Sequence, residues 1–178
     1  MIRKRLAIMV LYDALGEVPD YVNNLLKEIS AVVDGLFIVF NGEIQSNYYE
    51  RLKSYTTRIL VRENKGFDVG AYKDAIRILM DDGSWKTYNQ VIFLNDSFFG
   101  FFYPIEEYLN QAEAAHSVDF WGMTRYPQNK QLKIDAHLQS YFLLINQRMM
   151  QSEIFMQFWD SLEYPAVFDD AVKNFEVK

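Results

Sequence analysis

Residues 58–97 run RILVRENKGFDVGAYKDAIRILMDDGSWKTYNQVIFLNDS, and the fold class is decided there. Arg58-Ile59-Leu60-Val61-Arg62 reads as a short strand with charged ends. Asn64 to Gly70 is a loop with two glycines that opens a helix. In that helix Ala71, Tyr72, Ala75, Ile76, Leu79 and Met80 form one apolar stripe, and Asp81-Asp82-Gly83-Ser84 ends it. Gln90-Val91-Ile92-Phe93-Leu94 is a second strand, with Asn95-Asp96-Ser97 at its carboxyl end. Two strands separated by a helix imply a parallel crossover unit.

The same alternation extends both ways. Upstream, Leu6 to Tyr12 is a continuous apolar run, as expected of a strand covered on both faces. Pro19 opens a helix carrying Val18, Tyr21, Val22, Leu25, Leu26 and Ile29, and Leu36 to Phe40 is the next buried strand, ending at Asn41-Gly42. A short helix follows Ser46. Downstream, Pro104 starts a helix with Glu106 and Glu107 in its first turn. Val118 to Gly122 and Ser140 to Ile145 read as strands, and a final helix places Met150, Ile154, Phe155, Phe158, Trp159 and Leu162 inward. The expected class is α/β: a three-layer, mostly parallel sheet with helices on both faces. No repeat or linker divides the 178 residues, so they read as one domain. The stretch from Tyr164 is poorly patterned and lacks a stop signal, which suggests truncation of a longer protein.

Composition narrows the chemistry. Half the residues are hydrophobic and 16% aromatic, enough to fill a core and incompatible with disorder. A formal net charge of −6 argues against binding nucleic acid through its phosphates. Absence of cysteine excludes disulfides, thiolate zinc sites and cysteine nucleophiles. No apolar run approaches the roughly 20 residues needed to cross a bilayer, and although Met1 to Arg5 is basic, Leu6 to Tyr12 is too short and lacks a small-residue cleavage site for a signal peptide. The expected location is the cytoplasm, with peripheral attachment to the inner face of the plasma membrane left open.

Ligands of open α/β sheets bind beyond the carboxyl ends of the strands. Tyr12-Asp13, Asn64 to Gly70 and Asn95-Asp96-Ser97 all fall there. Asp96 directly follows a buried run, so it needs a partner: a metal ion, a sugar hydroxyl, or the turn that it caps with Ser97. Asp68 fits an ordinary N-cap equally well. His137 is either a hydrogen-bonded structural residue or a contact to metal or diphosphate. Tyr72, Trp121 and Phe142 are assigned to the core. Neither a dinucleotide fingerprint, a P-loop nor a Gly-x-Ser-x-Gly elbow is present.

Four segments in order carry a family resemblance: Glu63 to Lys73, Leu94 to Ser97 with Gly100, Asp119 to Thr124, and His137 to Phe142. Together they resemble the rhamnan synthesis protein F family, glycosyltransferases of cell-wall and capsular polysaccharide assembly, from Ala7 to about Glu176. The resemblance implies a GT-A-like, Rossmann-like domain that binds a nucleotide-diphosphate sugar and transfers it to a polysaccharide or lipid-linked oligosaccharide acceptor. It implies deoxythymidine-diphosphate-linked rhamnose as donor. Tyr12 and Asp13 would meet the nucleobase, while Asn64 and Asp68 would meet nucleoside or sugar. Lys73 and His137 would approach the phosphates. Asn95 would line the donor site, and Asp96 would bind a divalent cation, Mg²⁺ or Mn²⁺. Glu176, or in competition Asp135, would be the catalytic base. One departure stands out: Asn95 and Ser97 flank a single carboxylate where metal-dependent GT-A members present Asp-x-Asp. That departure favours the alternative of a non-catalytic, transferase-like module that binds carbohydrate or a partner enzyme. A nucleotide-binding α/β regulator is the third reading.

Overall fold

A computed structural model describes residues 3–115, 118–131 and 135–171, with the side chains of residues 168 and 169 left out. A six-stranded sheet of order β3-β2-β1-β4-β8-β5 forms the middle layer. Strands β1 (Arg5–Tyr12), β2 (Gly35–Asn41), β3 (Ile59–Arg62) and β4 (Gln90–Asn95) are mutually parallel. Strand β8 (Phe142–Asn146) runs antiparallel to β4, and β5 (Phe120–Gly122) antiparallel to β8. A separate antiparallel hairpin pairs β6 (Arg125–Tyr126) with β7 (His137–Leu138), which the sequence reading did not anticipate because each arm is only two residues long.

The unbroken apolar run of β1 now has its reason. Side chains alternate across a strand, so Leu6, Ile8 and Val10 enter one core while Ala7, Met9 and Leu11 enter another. The first core lies under helix α3 (Phe67–Asp81), α5 (Gln147–Met150) and α6 (Glu153–Ser161), with the Phe93 and Trp159 rings edge to face. The second lies under α1 (Asp20–Val32) and α4 (Ile105–Ala114), and α2 (Ser46–Leu52) adds Leu52 to it. Both faces are thus covered, as the α/β class requires.

The expected last helix is two helices. Ser152 breaks the run, and its hydroxyl accepts the Phe155 N–H at 3.2 Å to cap α6. The restarted register turns Ile154 outward at 76% exposure while Phe155 and Trp159 stay buried, so Ile154 is not the inner-face residue the spacing suggested. Met80, 39% exposed, likewise lies at the edge of the α3 stripe rather than inside it. Among the described residues no helix is long and apolar enough to cross a membrane.

Strand order reverses between β1 and β4. From β1 the chain steps outward through β2 to β3, then returns to the other flank of β1. Loops leaving the carboxyl ends of β1 and β4 therefore diverge, and the crevice between them is the switch point where such sheets bind ligands. Val10 pairs with Asn95, which brings Tyr12-Asp13 beside Asn95-Asp96.

Candidate functional site

Strand β4 delivers the centre of the site. Asn95 is buried at 4% exposure, and both ends of its amide are engaged: Nδ2 donates to Asp68 Oδ2 at 2.7 Å and Oδ1 accepts the Ser97 N–H at 3.0 Å. Asp96 Oδ2 accepts the Tyr12 N–H at 3.1 Å, and its carbonyl accepts the Tyr21 hydroxyl at 3.0 Å. Three chain segments far apart in sequence thus meet at adjacent residues of one strand end.

The electrostatics of this meeting point are unbalanced. Burial pushes the Asp96 carboxyl up to about 6; the Tyr12 N–H pulls against that, and the charges of Asp68 and Asp13 push it further up. Burial and the charges of Asp96 and Asp13 also raise the Tyr21 hydroxyl. Asp13 and Asp68 thus lie near enough to Asp96 for their charges to be felt at its carboxylate. No ion pair reaches Asp96 among the described residues.

Helix α3 brings Asp68 in over an unusual entry. Gly66 and Phe67 have φ of +77° and +54°, two successive left-handed residues of which the second is not glycine. The carbonyl of Phe67 accepts from Asn41 Nδ2 at 3.3 Å, and Asn41 Oδ1 accepts from Arg62 at 2.6 Å. Asn41, 1% exposed at the tip of β2, is a site-shaping residue that the sequence reading missed, having read it only as part of a turn. Asn64 Oδ1 is buried without a hydrogen-bond partner among the described residues, an unmet demand inside the loop.

The other expected residues are placed as follows. Tyr12 presents a half-exposed ring at the crevice. Asp13 Oδ1 accepts the N–H groups of Leu15 (2.8 Å) and Glu17 (3.1 Å), so it also braces its own loop. Lys73 is directed elsewhere: Nζ donates to the carbonyls of Asp160 (3.1 Å) and Leu162 (2.6 Å). Five residues past Asp68, it sits roughly 140° around the helix from it. His137 stands on the β6–β7 hairpin, stacked on Tyr126 at 5.2 Å with Nδ1 2.8 Å from the Asp135 carbonyl. Asp135 is exposed on the same hairpin and accepts from Gln128 Nε2 at 3.0 Å. The hairpin is rooted beside the crevice, since Gln139 N–H reaches the Thr124 carbonyl and Asn95 N–H the Tyr141 carbonyl, both near 3.1–3.3 Å. Glu176 lies outside the described residues.

Among the described residues no three His, Asp or Glu side chains are spaced to hold a metal ion. The described residues therefore offer no closed cage. A cation held by one carboxylate and a ligand's phosphates, a common Mg²⁺ arrangement, does fit Asp96, which is part-buried and, among the described residues, paired with no base.

A family model described as rhamnan synthesis protein F matches residues 36–178, beginning in β2 rather than at Ala7. The uncharacterized protein y4gN of Sinorhizobium fredii (strain NBRC 101917 / NGR234) is 24% identical over 180 residues, which is 97% of this chain and 44% of that protein. The chain thus spans less than half the length of this relative. Among solved structures, 4-diphosphocytidyl-2C-methyl-D-erythritol synthase aligns with a TM-score of 0.57 at 12% identity, over 97% of this chain and 85% of that one. A candidate nucleotide-diphospho-sugar transferase from Desulfovibrio desulfuricans G20 aligns with a TM-score of 0.48 at 12% identity, over 94% and 74%. At such identity the likeness to the synthase is one of fold alone: an α/β, Rossmann-like sheet.

Proposed function

The chain belongs to the rhamnan synthesis protein F family, and from that premise we propose that it is a nucleotide-sugar-dependent glycosyltransferase domain that adds a sugar, rhamnose by family, to a growing cell-surface polysaccharide. The observation that carries the reading is the convergence of Asp13, Asp68 and Asp96 at the β1/β4 switch point, with Asp96 balanced by no base among the described residues.

Each residue takes a role its placement allows. The half-exposed Tyr12 ring and the Asp13 loop form the nucleobase edge. Asp68 and Asn64 line the position of the nucleoside and donor sugar, where the orphaned Asn64 oxygen accepts a hydroxyl. Asn95 holds Asp68 in place through its 2.7 Å bond. Asp96 would hold Mg²⁺ or Mn²⁺, whose charge offsets that of the departing diphosphate. The charge developing on that leaving group is what such a site must stabilise. Lys73 is engaged elsewhere, so the phosphates are met by backbone N–H groups of the loop and the first turn of α3. Asp135, exposed on the hairpin, is the candidate base among the described residues.

One observation favours a second reading. Asn95, at the position of a second metal carboxylate, spends its amide on Asp68 and Ser97. A module that binds donor or carbohydrate without turning it over would tolerate this.

Thermal unfolding with thymidine and uridine diphosphate sugars at millimolar concentration tests binding. At ten times Kd the expected stabilisation is about 1.4 kcal/mol, a rise of about 3–6 °C. Part of the rise should depend on Mn²⁺ and vanish in Asp96→Ala. No rise with any donor would overturn the proposal, and nucleotide release in the presence of acceptor separates enzyme from module.

A further inference from the structure

The end of α6 and the polypeptide following it are fastened to α3 at Lys73 and Asp74. Lys73 draws in the carbonyls of Asp160 and Leu162. The Tyr164 hydroxyl donates to Asp74 Oδ1, and Asp74 Oδ2 pairs with Arg62 Nε at 2.7 Å in an ion pair whose arginine is 9% exposed. Lys65, Lys73 and Arg62 lie 5.2, 5.7 and 6.0 Å from the centre of the Tyr164 ring.

That ring rests on two glycines. A Cβ on Gly66 would come 2.9 Å from Tyr164 Cδ1, and one on Gly70 would meet the same atom at 2.9 Å and the Lys65 carbonyl at 2.3 Å. The glycine spacing of the motif therefore matches a tyrosine seat. Gly66 and the left-handed Phe67 form the entry that aims Asp68. A non-glycine residue keeps such angles only where its surroundings impose them. Here the surroundings are the Tyr164 ring behind Gly66 and the Arg62–Asn41 chain on the Phe67 carbonyl.

We propose that Tyr164 is a positioning residue: seated on Gly66 and Gly70, it holds the Gly66-Phe67 entry in its left-handed form and so keeps Asp68 on Asn95. This concerns the site assigned above to the donor, but it stands on geometry and needs no ligand. Tyr164 also fastens the chain beyond α6 to the motif loop, so displacement of that segment would reach Asp68.

Hydrogen exchange of side-chain amides, followed by NMR on the protein without ligand, provides the test. Asn95 Nδ2 reports the bond to Asp68, and Gln90 Nε2, bonded to Asn146 Oδ1 at 2.8 Å at the opposite end of the same strand, is the internal control. Tyr164→Ala should speed Asn95 exchange by about tenfold or more and leave Gln90 within about twofold, as a local opening does. Tyr164→Phe keeps the ring on the glycines and should stay within about threefold of wild type. Tyr164→Leu serves if the alanine variant does not fold. Unchanged Asn95 exchange in a folded Tyr164→Ala or Tyr164→Leu protein overturns the proposal, as does equal loosening of Gln90, which would mark a general packing role. Nucleotide sugars are absent throughout, so failure of the donor reading cannot produce either result.

Discussion

The two ends of the sheet obey opposite rules. At the amino end, polar groups close on one another: Arg3 pairs with Glu113 at 3.0 Å, Arg5 joins them, Arg148 meets Asp119 at 2.5 Å, and Gln90 bridges Arg5 and Asn146 at 2.8 Å each. A recess of about 510 Å³ opens among these residues, yet its charges are already matched. At the carboxyl end, carboxylates crowd together, an asparagine oxygen has no partner among the described residues, and a phenylalanine is held left-handed. Local inconsistency of this kind concentrates where a fold is built to receive something. Size of recess is therefore a poorer guide to this molecule's chemistry than unmet electrostatic demand.

The largest expected effect probes how firmly the strained end is built. Gly70→Ala drives a methyl against the Lys65 carbonyl, which is backbone and cannot swing aside. It should cost about 3 kcal/mol, a fall of about 6–12 °C in thermal unfolding. A loss below about 1 kcal/mol would mean the loop is pliable and the contrast between ends overstated.

Next in size, and opposite in sign, is Asp96→Asn. The folded carboxyl titrates at about 6 rather than 3.8. Ionising it therefore weakens the fold: stability is fully present below about pH 4 and is lost as pH rises through 6. Asparagine should restore about 2–3 kcal/mol at pH 8 and little at pH 4. Urea unfolding of both proteins across that range is the check, and parallel profiles would remove the strain from Asp96.

The matched end should respond more weakly. Glu113→Gln cuts two ion pairs whose side chains are 20–40% exposed, so about 1 kcal/mol or less is expected, shrinking as salt is added. Smallest is Asn64→Ala. Removing an acceptor that bonds to none of the described residues should change stability by no more than about 0.5 kcal/mol while reducing the nucleotide-induced shift. A destabilisation of 2 kcal/mol would show that the oxygen is satisfied after all.

What the sequence made legible was local. Helical stripes and buried runs located β1 to β4 and α1, α3 and α4, because one periodicity decides each. Asp13, Asp68 and Asp96 could be singled out because the topology rule sends strand ends to one crevice. Harder to see were Tyr21, Asn41, Arg62, Asp74 and Tyr164, whose roles rest on partners tens of residues away. Lys73 belongs to the same motif as Asp68, but helical phase sends it to the other side. The split between α5 and α6 escaped because Ser152 caps a helix inside an otherwise apolar pattern.

Strand β8 runs against its neighbour, so it finishes at Asn146 opposite Gln90, the end of the sheet farthest from the crevice. Everything after it must travel back, and α6 makes that journey in nine residues. The helix behaves as a gauge block: its length and phase together decide where Tyr164 lands. One residue inserted would advance the tip by about 1.5 Å and turn it by about 100°, so the ring would miss its groove although no contact within α6 had changed.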